Sequence, residues 1–168
     1  MIAQRITNLK KFMSQLLVGK NFDSFWLSEA TITTGNTFII DGTLHPDFFS
    51  EEAREILNRC HRTHSLWKEI KPFCYSIIRG KQTPLQFKFV FRLSYEKIRY
   101  AVIESGISLD PDQINGLFLN IQYNSGQLVC TTGTSVSTFS LDKSLDQMWD
   151  RMVLQFFQEN DIDCEDLS

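Results

Sequence analysis

Two β-hairpins constrain what this chain can fold into. Residues 116–134, GLFLNIQYNSGQLVCTTGT, predict two strands joined by a turn at Asn124-Ser125-Gly126. Residues 26–43, WLSEATITTGNTFIIDGT, repeat the pattern around Thr34-Gly35-Asn36. A short strand and an amphipathic helical stretch precede each hairpin. The chain therefore contains two β-α-β-β units, and we expect an α+β fold with a largely antiparallel sheet.

The elements that open each unit are predicted from capping residues and from the spacing of apolar side chains. In the first unit, Ile2–Ile6 indicates a strand, Thr7 a helix N-cap and Gly19 the end of that helix. In the second unit, QFKFVFR at residues 86–92 alternates Phe with other side chains, which is typical of a strand with one buried face. The following stretch, YEKIRYAVIESG, is predicted to be helical.

The rest of the sequence adds helices to the two units. We expect a single domain over residues 1–168, composed of unit one (1–44), a helical insert (45–83), unit two (84–141), a C-terminal helix (142–159) and a frayed acidic tail (160–168). An apolar stripe in the C-terminal helix contains Trp149, Met152 and Phe156. We expect burial of these three side chains to be essential for stability.

The composition excludes several classes of protein. A net charge of −3 argues against a dedicated nucleic-acid binder, and 42% hydrophobic residues argue against disorder. The first residues, MIAQRITNLKKF, do not have the apolar core of a signal peptide, and no segment has the roughly 20 apolar residues that span a bilayer. The four cysteines form no C-x-x-C pair, so we expect reduced thiols and a cytoplasmic location.

Two short segments carry residues suited to chemistry. If the helix after Ser50 continues through residue 64, Cys60 and His64 stand at i and i+4 and offer a thiolate and an imidazole to zinc. Asp41, His45 and Asp47 follow a strand, where acid–base groups can act. A purely structural role is the alternative for both segments. In this interpretation Cys60 packs inward beside histidines at a polar helix end, and the segment with Asp41, His45 and Asp47 forms turns.

The sequence contains no catalytic or nucleotide-binding motif that would indicate an enzyme. The sequence has no G-x-S-x-G, no G-x-G-x-x-G and no P-loop spacing around Gly80-Lys81, so we expect no cofactor. The Phe side chains of QFKFVFR could stack bases, as in RNA-binding sheets. However, Lys88 and Arg92 point to the opposite side of that strand, so we predict that the rings lie in the core.

The duplicated β-α-β-β unit resembles the DNA sliding-clamp superfamily, the processivity rings of replication. The resemblance covers residues 1–44 and 84–141, and we expect the two units to superpose about an approximate two-fold axis with their sheets joined edge to edge. It implies that the first helix faces DNA phosphates, with Arg5, Lys10, Lys11 and Lys20 available for contact. Few of these charges reach phosphates together, so the expected binding to DNA is weak and non-specific.

Two further stretches, IRGKQTPLQFKFVF and TTGTSVSTFSLDKSLDQMWD, resemble an uncharacterised bacterial protein family of about this length. These observations favour a non-enzymatic binding module of clamp-like fold that contacts a protein partner or, weakly, nucleic acid, and no membrane. The alternative is a small metal-dependent or acid–base hydrolase that uses Asp41, His45 and Asp47 together with Cys60 and His64.

Overall fold

The computed structural model describes residues 1–168 and contains seven strands and five α-helices. The strands are β1 (Ala3–Ile6), β2 (Trp26–Thr33), β3 (Thr37–Asp41), β4 (Gln86–Arg92), β5 (Ile114–Asn124), β6 (Gln127–Val136) and β7 (Cys164–Asp166). The helices are α1 (Leu9–Leu17), α2 (Glu51–Arg59), α3 (Trp67–Ile78), α4 (Tyr95–Ser105) and α5 (Ser144–Glu159). The predicted α+β class is confirmed, and the order β-α-β-β occurs twice.

All seven strands form one antiparallel sheet, in the order β3-β2-β4-β5-β6-β1-β7. The two hairpins pair as the sequence predicts, β2 with β3 and β5 with β6. A two-fold axis between the units would exchange β1 with β4. However, β4 pairs with its own hairpin, whereas β1 is separated from its own hairpin and covers the free edge of β6. The predicted two-fold relation is therefore wrong.

One face of the sheet carries the hydrophobic core. Phe87, Phe89 and Phe91 of β4 are at most 4% exposed, which confirms the prediction that they lie in the core. The residues that face them across β5 are buried as well. Helices α1, α3, α4 and α5 pack on this same face, and each contributes to the 31-residue core, for example with Phe12, Trp67, Val102 and Trp149.

The four core helices leave the other side of the sheet uncovered, and we call this side the open face. It carries the alternate residues of the same strands, which are Lys88, Val90 and Arg92 on β4 and Phe118, Asn120 and Gln122 on β5. None of these six residues is buried. Trp26 of β2 lies opposite Arg92 on the open face and is only 6% exposed. Something other than the core must therefore cover Trp26.

Helix ends and helix burial differ in detail from the sequence expectations. Asn8, one residue after the predicted Thr7, caps α1 because its side chain accepts a hydrogen bond from the backbone of Lys11. In α5, Trp149 is 2% exposed, while Met152 and Phe156 are only half-buried against the core. None of the five helices combines the length and the apolar character needed to cross a bilayer.

The acidic C-terminal segment is not frayed at residues 164–166, where it forms β7. These residues pair with Ile6, Arg5 and Gln4 of β1. Arg5 makes an ion pair with Glu165, and the buried side chain of Gln4 donates a hydrogen bond of 3.1 Å to Asp166. The expectation of fraying is wrong here because β1 supplies cationic and polar partners to the acidic residues.

Candidate functional site

The segment after α2 places His64 at one end of the open face. His61 has a left-handed backbone conformation (φ 51°), and the chain beyond it runs between β2 and the end of β3. Ser65 N donates to Gly42 O, and Leu27 N donates to Ser65 O, each at 2.8 Å. A Cβ on Gly42 would lie 1.8 Å from Leu27 O, so only glycine permits this approach. The imidazole of His64 stacks on Trp26, with 6.4 Å between the ring centroids, and so covers it.

Arg92 is the charged group of this site, and it is half-buried. Its Nη2 donates to Asn115 O at 2.6 Å, Nη1 lies 3.4 Å from His64 Nε2, and its guanidinium lies 5.3 Å from the centroid of the Phe118 ring. Burial lowers the pKa of Arg92. Its Nε is buried and has no hydrogen-bond partner. None of the seven ion pairs in the structure includes Arg92.

His64 is a neutral neighbour for that cation. Burial, followed by the charge of Arg92, lowers the pKa of His64 to about 4, and Asp41 partly opposes the effect. At pH 7 the neutral ring can accept from Arg92 through Nε2. The ring proton then sits on Nδ1, which lies 2.7 Å from the hydroxyl of Thr63. Both ring nitrogens are therefore engaged within the protein.

The predicted acid–base residues Asp41, His45 and Asp47 make no hydrogen bond to one another. Asp41 accepts a hydrogen bond of 2.9 Å from the backbone of Thr43, and this bond is the main cause that lowers the pKa of Asp41, although the charge of His45 also helps to lower it. Asp41 influences His64 through its charge but makes no hydrogen bond to it. His45 and Asp47 are exposed and make no side-chain hydrogen bond. Asp41 ends β3, Thr43 forms a bridge with His64, and a short 3₁₀ helix follows at Pro46–Phe48.

The predicted spacing of Cys60 and His64 on one helix is wrong. Helix α2 ends at Arg59, and Cys60 is its C-cap, because the left-handed His61 redirects the chain. Cys60 is exposed, so the inward packing proposed as an alternative is wrong as well. His61 instead stacks on Tyr95, with ring centroids 4.2 Å apart. No three His, Cys, Asp or Glu side chains lie close enough together to hold a metal ion.

Two of the four basic residues suggested for DNA contact, Arg5 and Lys11, contact the C-terminal segment. Arg5 pairs with Glu165, and Lys11 Nζ donates to the backbone oxygen of Asp161 at 2.6 Å. Lys10 and Lys20 are exposed and make no ion pair. The C-terminal segment thus neutralises one of the four charges, that of Arg5, and holds Lys11 through a backbone oxygen.

Local sequence spacing does not indicate the site around Arg92. The alternation in QFKFVFR predicts that Arg92 points away from the core, and the structure confirms this orientation. Its partners, however, come from 28 residues earlier and 23 residues later in the chain. Trp26 gives no stronger signal, because a large aromatic residue at the start of a strand is usually part of the core.

A family model described as a family of unknown function (DUF5721) matches residues 15–165. The chain belongs to this family. The match includes both stretches that resemble an uncharacterised family, so that resemblance is confirmed at the level of a family of unknown function. No curated protein and no solved structure matches the chain significantly. The comparisons therefore give the sliding-clamp resemblance no support.

Proposed function

We propose that this DUF5721 protein is a non-enzymatic binding module whose open face holds an acidic segment of a partner protein. Arg92 anchors a carboxylate of that segment, and the walls around it are Phe118 and His64, which lies over the buried Trp26. We also place the module in the cytoplasm, where its four free cysteines remain reduced.

The proposal rests on one observation, a half-buried cation without a carboxylate. Charged side chains that leave bulk water are normally paired, because desolvation of an isolated charge is costly. The partners of Arg92 are a neutral imidazole, a backbone carbonyl and a phenyl ring, and none of them carries a compensating charge. The planar guanidinium matches a carboxylate in shape and hydrogen bonding. An acidic side chain from a partner would supply the missing charge.

The surroundings of Arg92 favour a protein segment over nucleic acid. Across the open face, Glu29 and Asp41 oppose the charge of Lys88, so no broad positive field attracts a polyanion. Thr31, Val90 and Asn120 lie on the same face, and a mixture of apolar and neutral polar side chains is found at protein–protein interfaces. With Lys11 and Arg5 held by the acidic C-terminal segment, we expect duplex DNA to bind no more tightly than the non-specific range of about 10⁻⁴–10⁻⁶ M.

The alternative, a small hydrolase, has less support from this geometry. A general base needs a free nitrogen within hydrogen-bond reach of the proton that it abstracts. Both nitrogens of His64 already contact side chains of this chain, and no carboxylate orients the ring. The absence of a convergent metal-ligand cluster removes the support that Cys60 and His64 would have given to a metal-dependent reaction.

The test compares two extended peptides that differ at one position. Each contains threonine and valine around a central residue, which is glutamate in one peptide and glutamine in the other. A hydrogen bond to a charged group contributes about 1.5–3 kcal/mol, so we expect the glutamate peptide to bind about tenfold or more tightly by calorimetry. Arg92→Gln is expected to abolish this preference.

Lys88→Gln provides the matched control, because Lys88 lies on the same strand and the same face and is exposed. This variant should retain the preference for the glutamate peptide. Thermal melts establish that each variant is folded. Equal affinity for both peptides, or a glutamate preference that survives Arg92→Gln, would contradict the proposal.

A further inference from the structure

A second site lies on the helical side of the sheet, remote from the open face. An open cavity of about 360 Å³ separates α1 from the C-terminal end of α3. Its floor consists of the buried, stacked rings of Phe87 and Tyr123, whose centroids are 5.1 Å apart. Leu9 and Met13 of α1 and Ile78 of α3 contribute to its apolar walls. The cavity therefore offers a continuous apolar surface above the aromatic floor.

The mouth of the cavity also carries exposed apolar side chains. Val18 at the end of α1 is 65% exposed, and Tyr75 on α3 is 40% exposed. These residues continue the apolar walls out to solvent. A ligand with an apolar body would cover both the walls and this rim.

A single charged residue lines the cavity. Arg79, at the end of α3, lies with its guanidinium 6.0 Å from the centroid of the Tyr75 ring. It belongs to none of the seven ion pairs, and no Asp or Glu lines the cavity. Ser14, Gln82 and Thr83 add neutral polar groups. The charge at this mouth therefore complements an anion and disfavours a cation.

We infer that this cavity binds a small, single-chain amphipathic carboxylate. The apolar chain lies against Phe87 and Tyr123, and the carboxylate pairs with Arg79. The volume falls in the range of small-molecule sites, about 300–1,000 Å³. A cavity of this size that opens to solvent suits a short single alkyl chain. Decanoate has such a chain and is a suitable probe.

Calorimetric titrations below the micellar concentration test the inference with three probes of equal chain length: decanoate, decanol and decyltrimethylammonium. We expect decanoate to bind about tenfold or more tightly than decanol, because only decanoate forms a charge-assisted pair with Arg79. The cation should bind most weakly. Arg79→Gln should lower the affinity for decanoate to that for decanol and leave decanol binding unchanged.

Matched variants separate this site from general adsorption. Ser14→Trp fills the mouth from an exposed position and should abolish binding of decanoate and decanol, whereas Lys10→Trp on the same helix lies outside the cavity and should not. Lys81→Gln removes a nearby exposed charge that does not line the cavity, and should leave decanoate binding intact.

Several results would overturn the inference. These are no decanoate binding, equal affinity for decanoate and decanol, or decanoate binding that survives Arg79→Gln or Ser14→Trp. Co-sedimentation with phosphatidylglycerol vesicles that Arg79→Gln abolishes would also overturn it, because the anion would then be a bilayer headgroup and not a free molecule.

Discussion

At the scale of single residues, His64 couples the open face to pH. It stacks on Trp26, accepts from Arg92 and lies within the influence of Asp41, so its charge state affects both Trp26 and Arg92. Burial and the neighbouring guanidinium lower its pKa from 6.5 to about 4 in the folded protein. Between these two values the unfolded chain binds a proton at His64 and the folded protein does not. Stability therefore falls as the pH is lowered through this window.

This difference in protonation predicts the effect of replacing His64. A shift from 6.5 to about 4 corresponds to at most about 3–4 kcal/mol at 1.36 kcal/mol per pKa unit, and solvent at the exposed side of the ring reduces this to about 1–2 kcal/mol. His64→Gln retains an acceptor for Arg92 but does not titrate. We expect its free energy of unfolding to decrease less than that of the wild type between pH 7 and pH 4.5, as measured by urea denaturation.

His45→Gln is the control for the pH experiment, because His45 is an exposed histidine close to Asp41 in the chain. It should show the same loss of stability with acid as the wild type. If His64→Gln and the wild type lose equal stability, burial and the charge of Arg92 do not lower the pKa of His64 as described here.

At the scale of elements, α5 closes the core over the centre of the sheet. Trp149 is buried, and its indole donates a hydrogen bond of 2.8 Å to the backbone oxygen of Phe118 on β5. Asp146 and Asp150 accept hydrogen bonds from Thr134 and Thr132 of β6. The helix is thus attached to two neighbouring strands by both apolar and polar contacts.

We therefore expect Trp149→Ala to reduce the stability of the protein strongly. Phe or Trp replaced by Ala in a core costs about 3–5 kcal/mol, a large part of a total stability of about 5–15 kcal/mol. Leu154 is on the same helix but is 40% exposed, so we expect Leu154→Ala to cost much less. Thermal unfolding of both variants measures the difference. A Trp149→Ala protein that melts within a degree or two of the wild type would show that α5 contributes little to the core.

At the scale of the whole molecule, local patterns predict the elements but not their arrangement. The two hairpins, the buried face of QFKFVFR and the C-terminal helix follow from turn residues and apolar periodicity, and the structure confirms them. The strand order does not follow, because β1 pairs with β6 more than 120 residues later and only tertiary contacts decide between possible edges. The strand at Cys164–Asp166 was unpredictable for the same reason, since its cationic partner Arg5 is at the other end of the chain.

The sequence indicates two residues in or near the candidate site, but not how they are arranged. Spacing drew attention to Asp41 and His64, and the structure does bring the two segments together through the bridge between Thr43 and His64. The pairing of Cys60 with His64 was wrong, because α2 ends at Arg59 and the chain turns at His61, which has a left-handed conformation although it is neither glycine nor proline. Arg92 becomes a site residue only when β2, β4, β5 and the segment around His64 are assembled.

The three tryptophans make the open-face proposal directly measurable. Trp26 lies on the open face, whereas the indoles of Trp67 and Trp149 donate to Leu16 O and Phe118 O within the helical side of the molecule. A ¹H–¹⁵N spectrum resolves the three indole signals and the Nε–H signal of Arg92. Titration with the glutamate peptide should shift the Trp26 and Arg92 signals and leave that of Trp67 in place, because Trp67 bonds to Leu16 and has no contact with the anchor. A shift at Trp67 without a shift at Arg92 would contradict the assignment of the open face as the binding surface.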